Sequence, residues 1–211
     1  MNRPYGLQRW SSIAKDAHGA ELLPAPSSPD ALARALATLT IDETRDLAFV
    51  LVRVIGDSDA AIQEVIHGAN ATTIGPRLCL AVSRNALQTT DFNSVNNHRV
   101  GLMLDDVDAE TPLSLIVSDS IESIRFCSDF VASASKSLRL GCVLESMLLL
   151  AHNLGLSTLG PSEAAKDDLM WPTSRFDYTP SLRPSRSLER SLTHAIAVST
   201  SRPHPNFRLS R

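Results

Sequence analysis

Apolar residues along this chain change their spacing repeatedly, and each change marks a predicted element. Ser28-Pro29-Asp30 reads as a helix start, with a hydroxyl cap, a proline in the first position and an acid in the first turn. Leu32, Ala35, Leu36 and Leu39 then share one helical face. Leu47 to Ile55 is dense in Leu, Val and Phe and predicts a buried strand, turned by Gly56 and Asp57. Ala61, Ile62, Val65 and Ile66 predict a helix closed by Gly68, and Leu78 to Val82 a second strand. Gln88 to His98 is polar and reads as a loop. Val100 to Leu104 and Leu113 to Val117 read as two more strands around a solvated acidic turn of Asp105, Asp106, Asp108 and Glu110. Asp119 or Ser120 then caps a predicted helix with the stripe Ile121, Ile124, Cys127 and Val131. Leu138 to Leu154 is the most apolar segment, covers more than half of a helix circumference, and predicts a central helix stopped by Gly155. His194 to Val198 predicts a last strand.

This order mixes strands and helices without regular βαβ alternation, so the expected class is α+β. The prolines at 24, 26 and 29 divide the chain into an N-terminal arm (1–27), a single domain (28–200) and an arginine-containing tail (201–211). No 18-residue apolar stretch or signal-type core is present, so a cytoplasmic chain away from membranes is expected. Cys79, Cys127 and Cys142 are odd in number, lie in apolar runs, and read as buried free thiols.

A net charge of −3 gives no global reason to bind nucleic acid. The charge is uneven, however: residues 171–211 carry a balance of +5, all of it from arginine, and the rest carries −8. Arginine suits bidentate contact with phosphate or carboxylate. Walker, G-x-G-x-x-G, G-x-S-x-G and C-x-x-C motifs are lacking, and no histidine pair has the spacing of a metal-binding helix, so no metal is expected. The anomaly is Glu145 and His152, two turns apart on the most apolar helix, where ionisable groups need partners or water.

The run Glu145-Ser146-Met147-Leu148-Leu149-Leu150-Ala151-His152-Asn153-Leu154-Gly155-Leu156 resembles the core helix of the nitroreductase-like flavoproteins, in particular the cyclodipeptide oxidase and peptide azoline dehydrogenase branch. Gln8-Arg9-Trp10-Ser11-Ser12 resembles the family's R-x-S element, though Ile13 replaces its second arginine. Ser201-Arg202-Pro203 and Asn206-Phe207-Arg208 resemble its closing elements. The resemblance implies an antiparallel mixed sheet around the buried helix and an FMN-dependent oxidoreductase that dehydrogenates a small-molecule or peptide-derived substrate. It further implies a homodimer or larger assembly. Arg9, Ser11, Arg202 and Arg208 would hold the FMN phosphate, Leu159 and Gly160 would pass the flavin ring, and Glu145 and His152 would handle protons. Two other readings are a non-catalytic flavoprotein-like subunit that assembles with a partner chain, and an acyltransferase of the GNAT kind suggested by Arg139-Leu140-Gly141.

Overall fold

The computed structural model describes residues 6–11, 18–23, 25–26, 28–39, 41–54, 63–67, 77–90, 92, 100–161 and 175–180. The chain divides into two compact units, Met1–Ser181 and Leu182–Arg211, and every described residue belongs to the first. The elements in chain order are β1 (Gly6–Ser11), β2 (His18–Leu23), α1 (Pro29–Ala37), α2 (Ile41–Thr44) and β3 (Leu47–Arg53). A helical stretch over residues 63–67 (α3), β4 (Arg77–Val82), α4 (Arg84–Thr89) and β5 (Val100–Val107) come next. The last are α5 (Leu113–Ile116), β6 (Ser123–Phe126), α6 (Ser128–Lys136), α7 (Leu138–Asn153), β7 (Ser157–Leu159) and β8 (Thr179–Pro180).

The eight strands form one sheet in the order β7-β6-β5-β4-β3-β2-β1-β8. From β2 to β7 every neighbouring pair is parallel; β1 runs antiparallel to both β2 and β8. The two ends of the sheet meet. Tyr178 bridges Leu159 in parallel, its N–H donating to the Thr158 carbonyl (3.0 Å) while its own carbonyl accepts from Gly160 N–H (2.9 Å). The Asp177 carboxylate reinforces the seam by accepting from the backbone N–H of Thr158 at 2.8 Å and from its hydroxyl at 3.0 Å. The sheet therefore curls into a barrel with strands and helices alternating, which corrects the expected α+β class and its antiparallel sheet.

Period-2 alternation divides the strand residues between two cores. Val50, Val52, Leu78, Leu80, Leu102, Leu104 and Ile124 face outward and are covered by Leu32 and Leu36 of α1, Phe130 and Val131 of α6, and Leu144 and Met147 of α7. Trp10, Leu51, Ala81, Met103 and Leu159, one each from five strands, form a separate inner core with Tyr178, which lies just before β8. Strands buried on both faces read as continuous apolar runs, which is why β3 and β4 are visible in the sequence. Gly19 stands on the inner face of β2 because a Cβ there would come within 2.1 Å of the Phe49 ring.

Local signals set the helix ends. Ser28 accepts from Ala31 N–H and Ser83 from Ala86 N–H, both at 3.1 Å, capping α1 and α4. α7 ends in a Schellman turn: Gly155 takes φ +73°, Gly155 N–H donates to His152, and Leu156 N–H donates to Ala151.

The predicted central helix is one helix, but it lies outside the barrel. It buries Gly141, Leu144, Met147 and Ala151, while Leu149 is 61% exposed. Leu113–Val117, expected as a strand, is the short helix α5. The helix expected from Ile121 to Val131 is instead strand β6 followed by α6. Of the expected acidic turn, Asp105 and Asp106 belong to the end of β5 while Asp108 and Glu110 lie in the turn that follows it, and Thr89, expected in a loop, ends α4. Gly56, Asp57, Gly68 and the predicted strand His194–Val198 lie outside the described residues.

The barrel assigns different weights to two leucines. Leu80→Ala, in the core between sheet and helices, is expected to cost about 2–5 kcal/mol, measured by urea unfolding. Leu149→Ala on α7 is expected to stay within about 0.5 kcal/mol of the parent. A larger loss at Leu149 than at Leu80 would contradict the barrel.

Candidate functional site at the barrel mouth

On the inner face, the positions two residues beyond Gly19, Leu51, Met103 and Ser123 lie nearer the C-terminal ends of β2, β3, β5 and β6. In a parallel barrel this end carries the chemistry. Here the sequence places charge: Glu21 on β2, Arg53 on β3, Asp105 on β5 and Arg125 on β6. Arg125 is only 1% exposed and Glu21 2%. The Arg125 fork grips Asp105 in a bidentate pair, with Nε donating to Oδ1 and Nη2 to Oδ2, both at 2.6 Å. Its Nη1 lies 2.9 Å from Glu21 Oε1. Arg53 Nε adds an ionic contact with Asp105 Oδ2 at 3.1 Å while its side chain stays 40% exposed. Glu21 Oε2 is buried and has no hydrogen-bond partner among the described residues.

Burial opposes the charge of Arg125, but the hydrogen bonds and charge of Asp105, followed by Glu21, more than offset it and raise its pKa. Two carboxylates and two guanidinium groups thus form a neutral set.

A bulge aims Asp105 into this set. Pairing of β5 with β6 shifts between Leu104↔Ile124 and Val107↔Phe126, and Asp106 within the shift takes φ +53°. Its N–H thereby donates to Asp105 Oδ1 at 2.9 Å. Aspartate tolerates this left-handed conformation better than most residues. Burial, and then the neighbouring Asp105, push the Asp106 carboxyl above the usual carboxylate range. Beyond the bulge, Arg84 forms a second bidentate pair with Asp108 at 3.2 and 3.3 Å, and Asp108 Oδ1 also accepts from Thr111 and from Glu110 N–H.

The opposite end of the barrel holds a cavity of about 170 Å³ lined by Phe49, Cys79, Gly101, Ser123, Ser157 and Tyr178, with the Arg77–Glu122 ion pair at its edge. Burial raises the Cys79 thiol to about 11, so it is not a nucleophile at neutral pH. A wider surface groove between α5 and α7 is lined by Leu113, Cys142, Val143 and Met147 and lacks convergent charge.

The structure scatters the residues singled out from sequence. Glu145 forms an ion pair with Arg175 on the outer side of α7, and His152 is exposed near that helix's end. Arg9 donates to the Glu43 carbonyl at 3.3 Å, and Ser11 pairs with His18 and Thr179 in the sheet. Leu159 belongs to the inner core, and Gly160 packs against Phe176. Arg202 and Arg208 lie outside the described residues. Arg139-Leu140-Gly141 opens α7 after α6 and not after a strand, which removes the acyltransferase reading.

No family model matches the chain, and no curated protein does. Solved structures do. The EAL domain of Mycobacterium smegmatis DcpA superposes with a TM-score of 0.62 at 16% identity, covering 90% of this chain and 95% of that one. The PaMucR phosphodiesterase, in complex with c-di-GMP, gives 0.62 at 13% identity over 87% and 93%. Klebsiella pneumoniae BlrP1, in a manganese and cyclic di-GMP complex, gives 0.60 at 15% identity over 84% and 54%. At these identities the likeness establishes the fold, that of EAL domains. It corrects the nitroreductase-like assignment, and with it the FMN cofactor, the oxidoreductase activity and the flavoprotein-like subunit.

The manganese in one neighbour raises the question of a metal at this mouth, and the donor set does not fit one. Three of the four oxygens of Glu21 and Asp105 already face guanidinium nitrogens. Among the described residues there is no group of three or more His, Cys, Asp or Glu side chains able to hold an ion. No described helix is long and apolar enough to cross a membrane.

Two outcomes follow from this geometry. In the native protein a thiol reagent at pH 8 is expected to label Cys142, which is exposed and not buried as its apolar run suggests, well before Cys79 with its raised thiol, as peptide mapping by mass spectrometry would show. Because its folded pKa is raised, the ionised Asp106 carboxylate opposes folding at pH 7, and this penalty fades as pH falls through its protonation. Asp106→Asn should therefore raise the thermal midpoint at pH 7 by roughly 1–2 °C, and the gain should shrink in acid.

Proposed function

We propose that this chain is an EAL-type ligand-binding domain that receives a cyclic dinucleotide, c-di-GMP being the first candidate, at the C-terminal mouth of the barrel. The observation that carries the reading is the placement of Arg53 and Arg84. Both are partly exposed arginines at the mouth, Arg53 at the end of β3 and Arg84 at the start of α4 just after β4; Arg53 is itself one of the two cations that balance Glu21 and Asp105, and Arg84 is balanced by Asp108. A ligand with two phosphodiester charges suits planar guanidinium forks, and Arg53 reaches the set through Nε alone, leaving its side chain partly open to solvent. The ligand complexes among the structural neighbours support the same chemistry.

Calorimetric titration of the full chain with c-di-GMP tests the proposal. Binding is expected without added metal. Arg53→Ala should weaken it about tenfold to a hundredfold, since a charge-assisted hydrogen bond contributes about 1.5–3 kcal/mol and each decade corresponds to about 1.4 kcal/mol. Higher salt should weaken it further. Absence of binding by a cooperatively folded parent protein would reject the reading.

A further inference from the structure

The buried carboxylates raise a question that ligand binding leaves open. Glu21 and Asp105 bring two negative charges into the barrel, with exposures of 2% and 4%. An uncompensated pair at that depth is strongly unfavourable, and proteins meet the problem with a cation or a proton. Here the cation belongs to the chain. Arg125 spans both carboxylates, fixing Asp105 through Nε and Nη2 and facing Glu21 through Nη1. Arg53 supplies the second positive charge from β3.

We infer that the Arg125 guanidinium serves as a built-in substitute for a divalent cation, so that the barrel mouth is a metal-independent site. The neighbouring charges support this assignment. Asp108 is held by Arg84, the Thr111 hydroxyl and Glu110 N–H, so it adds no free oxygen to Glu21 and Asp105; the carboxylate beside them is that of Asp106, partly open to solvent on the bulge and within the field of Arg53 and Arg125. A hard divalent ion takes six or more oxygens, including carboxylates and waters. It would have to displace a fork whose bonds to Asp105 are short, and it would add two charges to a set that is already neutral. The one unused acceptor, Glu21 Oε2, marks where the arginine falls short of satisfying its partners. Removing the guanidinium exposes that vacancy and leaves two carboxylates for an ion to bridge. The inference rests on the charge set alone and is tested without any nucleotide, so it can fail independently of the ligand reading.

The experiment follows free Mn²⁺ by electron paramagnetic resonance, and thermal unfolding in parallel, for the full chain and for Arg125→Ser. The parent is expected to leave the Mn²⁺ signal unchanged and to unfold at the same temperature in Mn²⁺ or EDTA. Arg125→Ser is expected to unfold at a clearly lower temperature in EDTA, to recover at least several degrees in millimolar Mn²⁺, and to lose the recovery when Glu21→Gln is added. Stoichiometric Mn²⁺ binding by the parent would overturn the inference. So would an Arg125→Ser protein that folds but ignores Mn²⁺, since the guanidinium would then not be standing in for an ion. If Arg125→Ser does not fold in any condition, the parent's Mn²⁺ titration alone decides.

Discussion

The burial of Arg125 between Asp105 and Glu21 is the interaction on which the arrangement of the barrel mouth depends. Three strands meet in it, β2, β5 and β6, and Arg53 brings in a fourth. Desolvating such charges costs several kcal/mol per ion, and only good geometry offsets it. The bidentate fork provides that geometry, and removing one partner would leave a charge stranded at a cost of about 3–5 kcal/mol. The pairing thus also fixes register: a one-residue slip of β6 would turn Arg125 outward into the apolar layer under the helices.

The two cores constrain the sheet from opposite sides. Helices α1, α6 and α7 require an apolar outer face, which the strands supply at Val50, Leu80, Leu102 and Ile124. The inner face grades from Phe49 and Tyr178, stacked edge to face at 5.1 Å, through Leu51 and Met103, to the charged mouth. Closing the barrel through Tyr178 places Trp10 fully inside, where its indole N–H has no partner among the described residues. The inner layer leaves each position little freedom, as Gly19 under Phe49 illustrates.

Several elements were legible because their signals are local. Ser28 with Pro29 and Asp30, the doubly buried runs at Leu47 and Leu78, and the stop at Gly155 each depend on a few adjacent residues. Spacing along the chain misleads where a strand carries charge inward. Asp105 and Asp106 end β5, yet adjacent acids resemble a solvated turn until the bulge and Arg125 are known. Arg125 interrupts the apolar pattern of β6, and Ile121, Ile124, Cys127 and Val131 then mimic helical spacing across a strand and the start of a helix. The apolar length of α7 suggests a central helix, whereas part of that surface is exposed.

By itself, the sequence determined the positions of many elements, the free state of its cysteines and the absence of a long apolar span, because each follows from neighbours along the chain. Only the tertiary structure decided that the sheet is parallel and curls into a barrel, and that Glu21, Arg53, Asp105 and Arg125 meet. Those four residues spread over more than a hundred positions, from Glu21 to Arg125, and carry no shared motif. What unites them is the period of two on each strand and the register between strands, which exists only once the sheet has closed.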